Sequence, residues 1–409
     1  MLKSYSFKIM IKAGADYMNV RKDLVYCPYC MTPLNPDENG KKIRCWKTAG
    51  TDIKTHTQQV TEEGGEEVFL CPCCGHKPSA YTASAHHLPP GTILKNRYLL
   101  GGVLGEGGYG ITYIGLDQVL ELRVAVKEYF PVEFCTRNSS GSKNVSVMTG
   151  LPAKNYKRGM SKYLTEARQL ARMDKQRVIV NVRDYFEDNG TAYIVMEYID
   201  GITFTDLVRE MGGQIPEEKL FPIVEPLFGA LCTLHQYDLI HRDMCPDNLM
   251  LEVRDRVVDC VQDEDQTGAM LCKPFKACQK IDELIKKRYG RIRLLDFGSA
   301  RSSDSLKDTL TITLRHGFAP IEQYQQGGGQ GTWTDVYGLS ATLYYCLTGV
   351  TPPVATNRII EDSLIPLSKM GIPISPSREA AIMKGLCVRP HRRYRTVKEF
   401  WYALYGDQL

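Results

Sequence analysis

Four short stretches hold residues whose types and spacing suit phosphate chemistry. Leu104-Gly105-Glu106-Gly107-Gly108-Tyr109-Gly110 contains Gly-x-Gly-x-x-Gly, in which missing side chains let backbone amides approach phosphate oxygens. Alone, that pattern serves several nucleotide-binding folds and plain turns alike. The residues just after it discriminate. A dinucleotide site needs a helix there, whereas Ile111-Thr112-Tyr113-Ile114 continues as strand, so the glycines are expected in a hairpin lying over a nucleotide. Val124-Ala125-Val126-Lys127 ends a buried strand with one cation, placed to hold α- and β-phosphates. In His241-Arg242-Asp243-Met244-Cys245-Pro246-Asp247-Asn248, an aspartate can orient a hydroxyl and accept its proton, and an amide oxygen five residues on can ligate a metal ion. Leu294-Leu295-Asp296-Phe297-Gly298 puts a carboxylate at a strand end before a flexible glycine, which suits Mg2+.

A second chemistry lies nearer the start. Cys27-Pro28-Tyr29-Cys30 and Cys71-Pro72-Cys73-Cys74-Gly75 are two Cys-x-x-Cys knuckles with 40 residues between them. Zinc favours four tetrahedral ligands and takes thiolates in structural sites. The expected set is Cys27, Cys30, Cys71 and Cys74, with Cys45, Cys73 and His76 open as substitutes. The spacing exceeds that of the common zinc template, so a hairpin or an insertion must fill the interval. Four ligands close the coordination shell, which makes the expected zinc structural. The segment resembles a zinc ribbon.

The elements that must position these residues differ along the chain. At 409 residues, with 43% apolar and 24% charged residues, the chain is long enough for two or three domains. Lys plus Arg is 51 against 47 acidic residues, a formal charge of +4, so no general affinity for nucleic acid is expected. Six of the fourteen cysteines fall between Cys27 and Cys74, in a polar segment that needs a staple to fold. Beyond Pro89-Pro90-Gly91 come strand-like runs at Tyr98–Leu104, Gly110–Leu116 and Arg123–Glu128. A helix-like run comes next at Tyr163–Met173, then strands at Val178–Phe186 and Ala192–Tyr198. Past Gly201 the pattern is mainly helical, at Phe221–Gln236, Thr334–Leu347, Arg378–Cys387 and Val397–Tyr405. A strand-rich part followed by a helix-rich part predicts an α+β fold of two lobes with a cleft between them. The longest uncharged apolar run, Val336–Val350, is too short to span a membrane, and Lys3, Lys8 and Lys12 break any leader, so a cytoplasmic protein is expected.

These four stretches, in this order, resemble the eukaryotic-like (Hanks-type) serine/threonine protein kinases, and Lys127-Glu128-Tyr129-Phe130-Pro131 is most similar to the bacterial members. The resemblance covers about Tyr98 to Tyr405. It implies an N-lobe at 98–198 and a C-lobe at 201–406 within a kinase domain at 91–406, after an N-terminal segment at 1–90 whose cysteine module spans about 24–80. It also implies transfer of the ATP γ-phosphate to protein Ser or Thr hydroxyls, the protein's own included. Under it, Asp243 is the base, Asn248 and Asp296 hold Mg2+, and Glu166 pairs with Lys127. Gly105 to Gly110 covers the phosphates. Met196 is the gatekeeper, and the backbone of Glu197 and Ile199 holds adenine. Glu322 and Arg393 would pair, and Asp335 would brace the loop carrying Asp243.

The sequence departs from that family in places. Lys127 and Glu166 are 39 positions apart, Ile321 separates Pro320 from Glu322, and an insertion occupies about 253–291. Most relevant to catalysis, Cys245 stands where serine/threonine kinases usually carry a lysine that touches the transferring phosphate; its loss would weaken charge stabilisation. The alternative is a pseudokinase, a nucleotide-binding scaffold that recruits partners through its ribbon. A protein partner for the ribbon, or for a helix expected at Ile281–Tyr289 in the insertion, stays open. Arg242 is placed to pair with a phosphate on the activation segment, where Thr309, Thr311 and Thr313 are candidates, with an ordinary solvated threonine run as the plainer reading of each.

Overall fold

The computed structural model describes residues 26–34, 42–44, 52–54, 59–61, 67–69, 71, 73–137, 142–173, 176–253, 260–262, 270–272, 290–295, 301–302, 314–325 and 328–406. Asp296, Cys45, the expected helix at Ile281–Tyr289 and the three threonines lie outside them. The chain forms two compact units. The first comprises Met1–Met160, Arg183–Tyr198 and Arg256–Phe275; the second comprises Ser161–Val182, Ile199–Asp255 and Lys276–Leu409.

In the first unit, the interval between the cysteine knuckles holds two antiparallel hairpins. Strand β1 (Lys42–Arg44) pairs with β2 (Asp52–Lys54), and β3 (Gln59–Thr61) with β4 (Glu67–Phe69). The main sheet begins with β5 (Ile93–Leu94), β6 (Tyr98–Gly107), β7 (Gly110–Asp117) and β8 (Leu122–Tyr129). A short pair, β9 (Cys135–Thr136) and β10 (Ser146–Val147), precedes helix α1 (Leu151–Ala171). Strands β11 (Val182–Asp188) and β12 (Thr191–Glu197) complete a sheet of order β11-β12-β8-β7-β6-β5. Ile111, Tyr113, Val124, Val126, Tyr193 and Val195 are buried, which is why β-branched and aromatic residues dominate these strands. The β6–β7 register slips between Leu100 and Val103 and again before Gly105, so β6 is bulged at Gly101-Gly102.

Helix α1 starts at Leu151, twelve residues before the expected Tyr163, because its first turns carry polar residues and Pro152, which is tolerated in a first turn. The strand expected from Val178 begins at Val182; Ile179 makes only a bridge to Leu294.

The second unit is mostly helical. Strand β13 (Gly201–Thr203) leads into α2 (Phe204–Glu210), capped by Thr203, whose hydroxyl accepts the Asp206 N–H. Helix α3 (Glu217–Gln236) then buries Leu220, Val224, Leu227, Leu231 and Leu234 along one face. Strands β14 (Leu239–Ile240) and β15 (Leu249–Val253) flank the Asp243 loop. After β16 (Cys260–Gln262) and β17 (Met270–Cys272), a hairpin of the first unit, come β18 (Gly290–Leu294) and β19 (Arg301–Ser302). Small sheets of order β13-β15-β18 and β14-β19 result. The later helices are α4 (Ile321–Tyr324), α5 (Thr332–Thr348), α6 (Ala355–Ile360), α7 (Pro376–Gly385) and α8 (Val397–Tyr405). Helix α5 is buried nearly all round, which explains its uncharged apolar run. Among the described residues, no helix is long and apolar enough to cross a membrane.

Candidate functional site

The Asp243 loop is built by local and distant contacts together. Both Asn248 amide hydrogens go to Asp243, one to its carbonyl at 2.8 Å and one to carboxylate Oδ2 at 2.9 Å. The Asp243 N–H donates to His241 Nδ1 at 3.3 Å, so the His241 proton sits on Nε2 and donates to the Leu295 carbonyl at 3.1 Å. The Leu295 N–H in turn donates to the Asn248 carbonyl at 2.8 Å, tying the residue before Asp296 to this loop. Arg242 holds φ +69, a left-handed backbone that is uncommon for a side chain of this size and is kept by its surroundings.

Asp335 at the start of α5 supplies that hold. Its Oδ1 accepts the Arg242 N–H at 2.7 Å, and its Oδ2 accepts the His241 N–H at 2.9 Å and meets His235 Nε2 at 2.8 Å. Burial works to raise the Asp335 carboxyl. The His235 bond and charge, His241 and the Arg242 N–H outweigh it and hold the carboxyl below the ordinary range. The expected Glu322–Arg393 pair is present and buried, with two parallel bonds of 2.7 and 3.0 Å. Gln323, next to Glu322, donates to the Arg242 carbonyl at 2.8 Å.

Sequence reading missed Arg315. Its Nε lies 3.4 Å from Asp243 Oδ1, and its Nη1 pairs with Asp247 Oδ2. No local pattern could have found it, since the Arg315–Asp247 pair spans 68 positions.

In the first unit, Lys127 is 8% exposed and sits opposite Thr112 and Ile194 in the sheet. Its Cε lies 3.7 Å from where a Gly110 Cβ would stand, so the ammonium stem runs beside the glycine-rich turn. A Cβ on Gly110 would also meet the Glu128 carbonyl at 2.3 Å, whereas Cβ atoms on Gly105 and Gly107 would meet nothing within 4 Å. Leu104 is exposed, and Met196 and Glu197 end β12 half-buried. Glu166 is half-buried on α1 and Ile199 is buried, both in the second unit. Glu128, from the Lys127 motif, is fully buried against Arg137 and accepts the Tyr113 and Tyr193 hydroxyls at 3.0 and 2.9 Å.

The cysteine knuckles converge. Cys27 Sγ lies 3.7 Å from Cys74 Sγ, and Cys30 Sγ lies 3.7 Å from Cys71 Sγ. A disulfide would need about 2.05 Å. A tetrahedron with Zn–S of about 2.3 Å has an edge of about 3.8 Å, which these separations fit. The same four residues form the ligand group, all within 4.8 Å; Cys73 and His76 fall outside it, and the His76 ring stacks on Tyr29. Hydrogen bonds among the thiols pull Cys30 down to about 3 and lower Cys74, while they push Cys27 and Cys71 up. The knuckles share one backbone design. Met31 N–H donates to the Cys27 carbonyl at 2.9 Å and Gly75 N–H to the Cys71 carbonyl at 2.8 Å, with positive φ at Met31 and Gly75. Met31 then packs with Leu99, Ile114 and Leu116 of the main sheet.

A strand-rich sheet unit and a helical unit of this connectivity, carrying these loops, define the protein kinase class of α+β folds. The family model for the protein kinase domain matches residues 98–396, and the chain belongs to that family. It is 29% identical over 322 residues to a probable serine/threonine-protein kinase of Clostridium perfringens, covering 76% of this chain and 38% of that one. It is 28% identical over 320 residues to the serine/threonine-protein kinase PknB of Mycolicibacterium smegmatis, covering 75% and 42%. The chain thus spans about two fifths of the length of these curated relatives. The solved structure described as PpkA-294 apo form has TM-score 0.59 and 32% identity, covering 78% of this chain and 99% of that one. The Mycobacterium tuberculosis PknI kinase domain, at TM-score 0.51 and 20% identity, shares the fold.

Proposed function

We propose that the chain is an ATP-dependent protein kinase that phosphorylates Ser and Thr hydroxyls of a protein substrate, itself included, in the cytoplasm. The observation that carries this reading is the Asp243–Asn248 bond inside a loop braced by Asp335. Asp243 takes the proton of the attacking hydroxyl. The hydroxyl oxygen bonds to the γ-phosphorus, and the β,γ-bridging oxygen leaves with the electron pair as ADP. With both amide hydrogens spent on Asp243, the Asn248 amide oxygen faces away from it and would hold Mg2+ together with Asp296. Bound Mg2+ would neutralise phosphate charge. Lys127 would grip the phosphates. The open faces of Gly105 and Gly107 suit close approach of a phosphate, since neither packing nor a left-handed backbone accounts for those glycines.

Cys27, Cys30, Cys71 and Cys74 would hold Zn2+, which would cross-link the two knuckles. Each of the four thiols would bind as a thiolate, its proton released as the ion enters.

The test is transfer from labelled ATP by wild type and Asp243→Asn, onto the chain itself and onto a generic protein. The substitution should lower transfer by about 10³-fold or more, as expected for removing a base together with its orienting carboxylate. Equal incorporation by both proteins would remove Asp243 from its assigned role.

A further inference from the structure

Cys245 occupies the place where the resemblance calls for a lysine. It is fully buried, and burial first, then the Asp243 charge, pushes its thiol well up, so it stays neutral and brings no charge to the loop. A cation is nevertheless present. The Arg315 guanidinium reaches Asp243 Oδ1 at 3.4 Å through Nε and pairs with Asp247 through Nη1. Its backbone is fixed, because the Phe318 and Ala319 N–H groups both donate to the Arg315 carbonyl, at 3.0 and 2.9 Å. Asp247 is fixed as well, accepting the Thr205 hydroxyl. The Arg315 side chain remains 40% exposed, so it can meet an incoming group at Asp243.

We propose that Arg315, from the far end of the activation segment, supplies the positive charge that Cys245 cannot. This rests on the kinase reading above. Arg315 is a positioning residue: it holds the Asp243 carboxylate and sets a permanent charge beside it, where negative charge gathers as the phosphoryl group moves. An exposed ion pair of purely structural kind contributes little, so kinetics separate the two roles.

The experiment compares wild type, Arg315→Ala and the double variant Arg315→Ala/Cys245→Lys in full-length protein, reading kcat, KM for ATP and Tm. Arg315→Ala should lower kcat by about 10²-fold. Its KM for ATP should change less than about threefold and its Tm should match wild type, as expected of an interaction used mainly in the transition state. Adding Cys245→Lys should recover about tenfold of the lost kcat, because it restores a cation at the same carboxylate. An unchanged kcat in Arg315→Ala, a loss that follows Tm, or a loss that Cys245→Lys leaves in place would overturn the proposal. Transfer by wild type that survives Arg315→Ala removes this inference alone; no transfer by wild type removes the kinase reading with it.

A separate set of contacts carries a second inference. The first cysteine knuckle and the segment after the second both hold strand β6, at Gly102, Val103 and Glu106. The Gly102 N–H donates to the Pro28 carbonyl at 2.7 Å, and the Val103 N–H to the Tyr81 hydroxyl at 2.8 Å. Glu106, inside the glycine-rich turn, is held by two histidines, His86 Nε2 at 2.7 Å and His87 Nε2 at 2.9 Å. The Ser84 N–H donates to His87 Nδ1 at 3.2 Å, so the His87 proton lies on Nε2, facing Glu106. That tautomer opposes a metal ion at Nε2 and favours a direct hydrogen bond. His86 is anchored in turn: its carbonyl accepts Arg137 Nη1 at 2.6 Å, and Arg137 is locked on buried Glu128.

The geometry points to a clamp in which His86 and His87 hold the glycine-rich turn in its nucleotide-covering position. On the kinase reading, His86→Ala/His87→Ala should raise KM for ATP about threefold to tenfold, the loss of one or two hydrogen bonds to a charged group, with kcat nearly unchanged. Arg137 and Glu128 are untouched, so Tm should hold. In a His86→Ala background, His87→Gln should bind ATP better than His87→Ala, because the amide keeps a donor near Nε2. An unchanged KM, a kcat loss that tracks Tm, no advantage of glutamine, or a second bound zinc lost with the histidines would overturn the clamp. Absence of transfer by wild type would instead strike the kinase reading, and ATP affinity by calorimetry would still test the clamp.

Discussion

Asp335 fixes a loop 93 and 94 positions away in sequence with two hydrogen bonds, and meets His235 of α3 with a third. Removing it strands two buried N–H groups and a histidine, so Asp335→Ala should cost about 3–5 kcal/mol of stability. The cost should depend on pH with a defined sign. The folded-state pKa lies below the unfolded value of about 3.9, so the carboxylate's contribution is fully present above that value and is lost as pH falls through the folded one. Urea unfolding of wild type and Asp335→Ala from pH 7 down to about 3 checks this; a stability gap that fails to narrow on the acid side counts against it. Arg393 poses a similar case. It is fully buried on Glu322, and Arg393→Ala would leave that carboxylate unpaired, at about 3–5 kcal/mol in the same measurement.

At the scale of elements, the β6–β7 hairpin separates glycines that the fold requires from glycines that it does not. A Cβ on Gly110 would strike the Glu128 backbone carbonyl at 2.3 Å, and backbone cannot step aside cheaply. One on Gly101 would strike Met31 Sδ at 2.5 Å and the Pro28 carbonyl at 2.9 Å. Gly110→Ala and Gly101→Ala should therefore each destabilise by about 1–3 kcal/mol. Gly105→Ala meets open space, so its Tm should stay within about a degree or two of wild type while its ATP affinity falls. Thermal melts beside nucleotide titrations would show the two classes; a Gly105→Ala protein that melts early and binds normally would contradict the assignment.

For the whole molecule, the cysteine knuckles are bound up with the sheet of the first unit. Met31 packs with Leu99, Ile114 and Leu116, and Gly102 and Val103 spend their N–H groups on Pro28 and Tyr81. If the four cysteines hold zinc as proposed, a strong chelator should release about one equivalent of metal per chain, as one four-thiolate site requires. It should also raise amide exchange at Gly102 and Val103, since the knuckle presenting Pro28 loses its cross-link. Cys27→Ser/Cys74→Ser should do the same without a chelator. Exchange at those amides that ignores metal would mean that the module sits on the sheet without holding it.

Local physics accounts for what was legible in the sequence. A Cys-x-x-Cys turn, a glycine-rich hairpin, a cation at a strand end and an aspartate five residues before an asparagine each put their groups together within one turn or one strand. Residue type and spacing alone therefore predict the chemistry, the α+β class and most helices. The early start of α1 and the late start of β11 escape such a reading, because polar first turns and a bridging segment carry no clear period. Other features exist only because the chain folds back on itself. Asp335 reaches Arg242, Arg315 reaches Asp243, Met31 reaches the sheet, and two histidines reach Glu106 across about twenty positions. Such pairs have no fixed spacing, since any loop length can close them at modest entropic cost. The sequence names the reactive groups, and tertiary packing decides which neighbours hold them and which charge replaces a missing one.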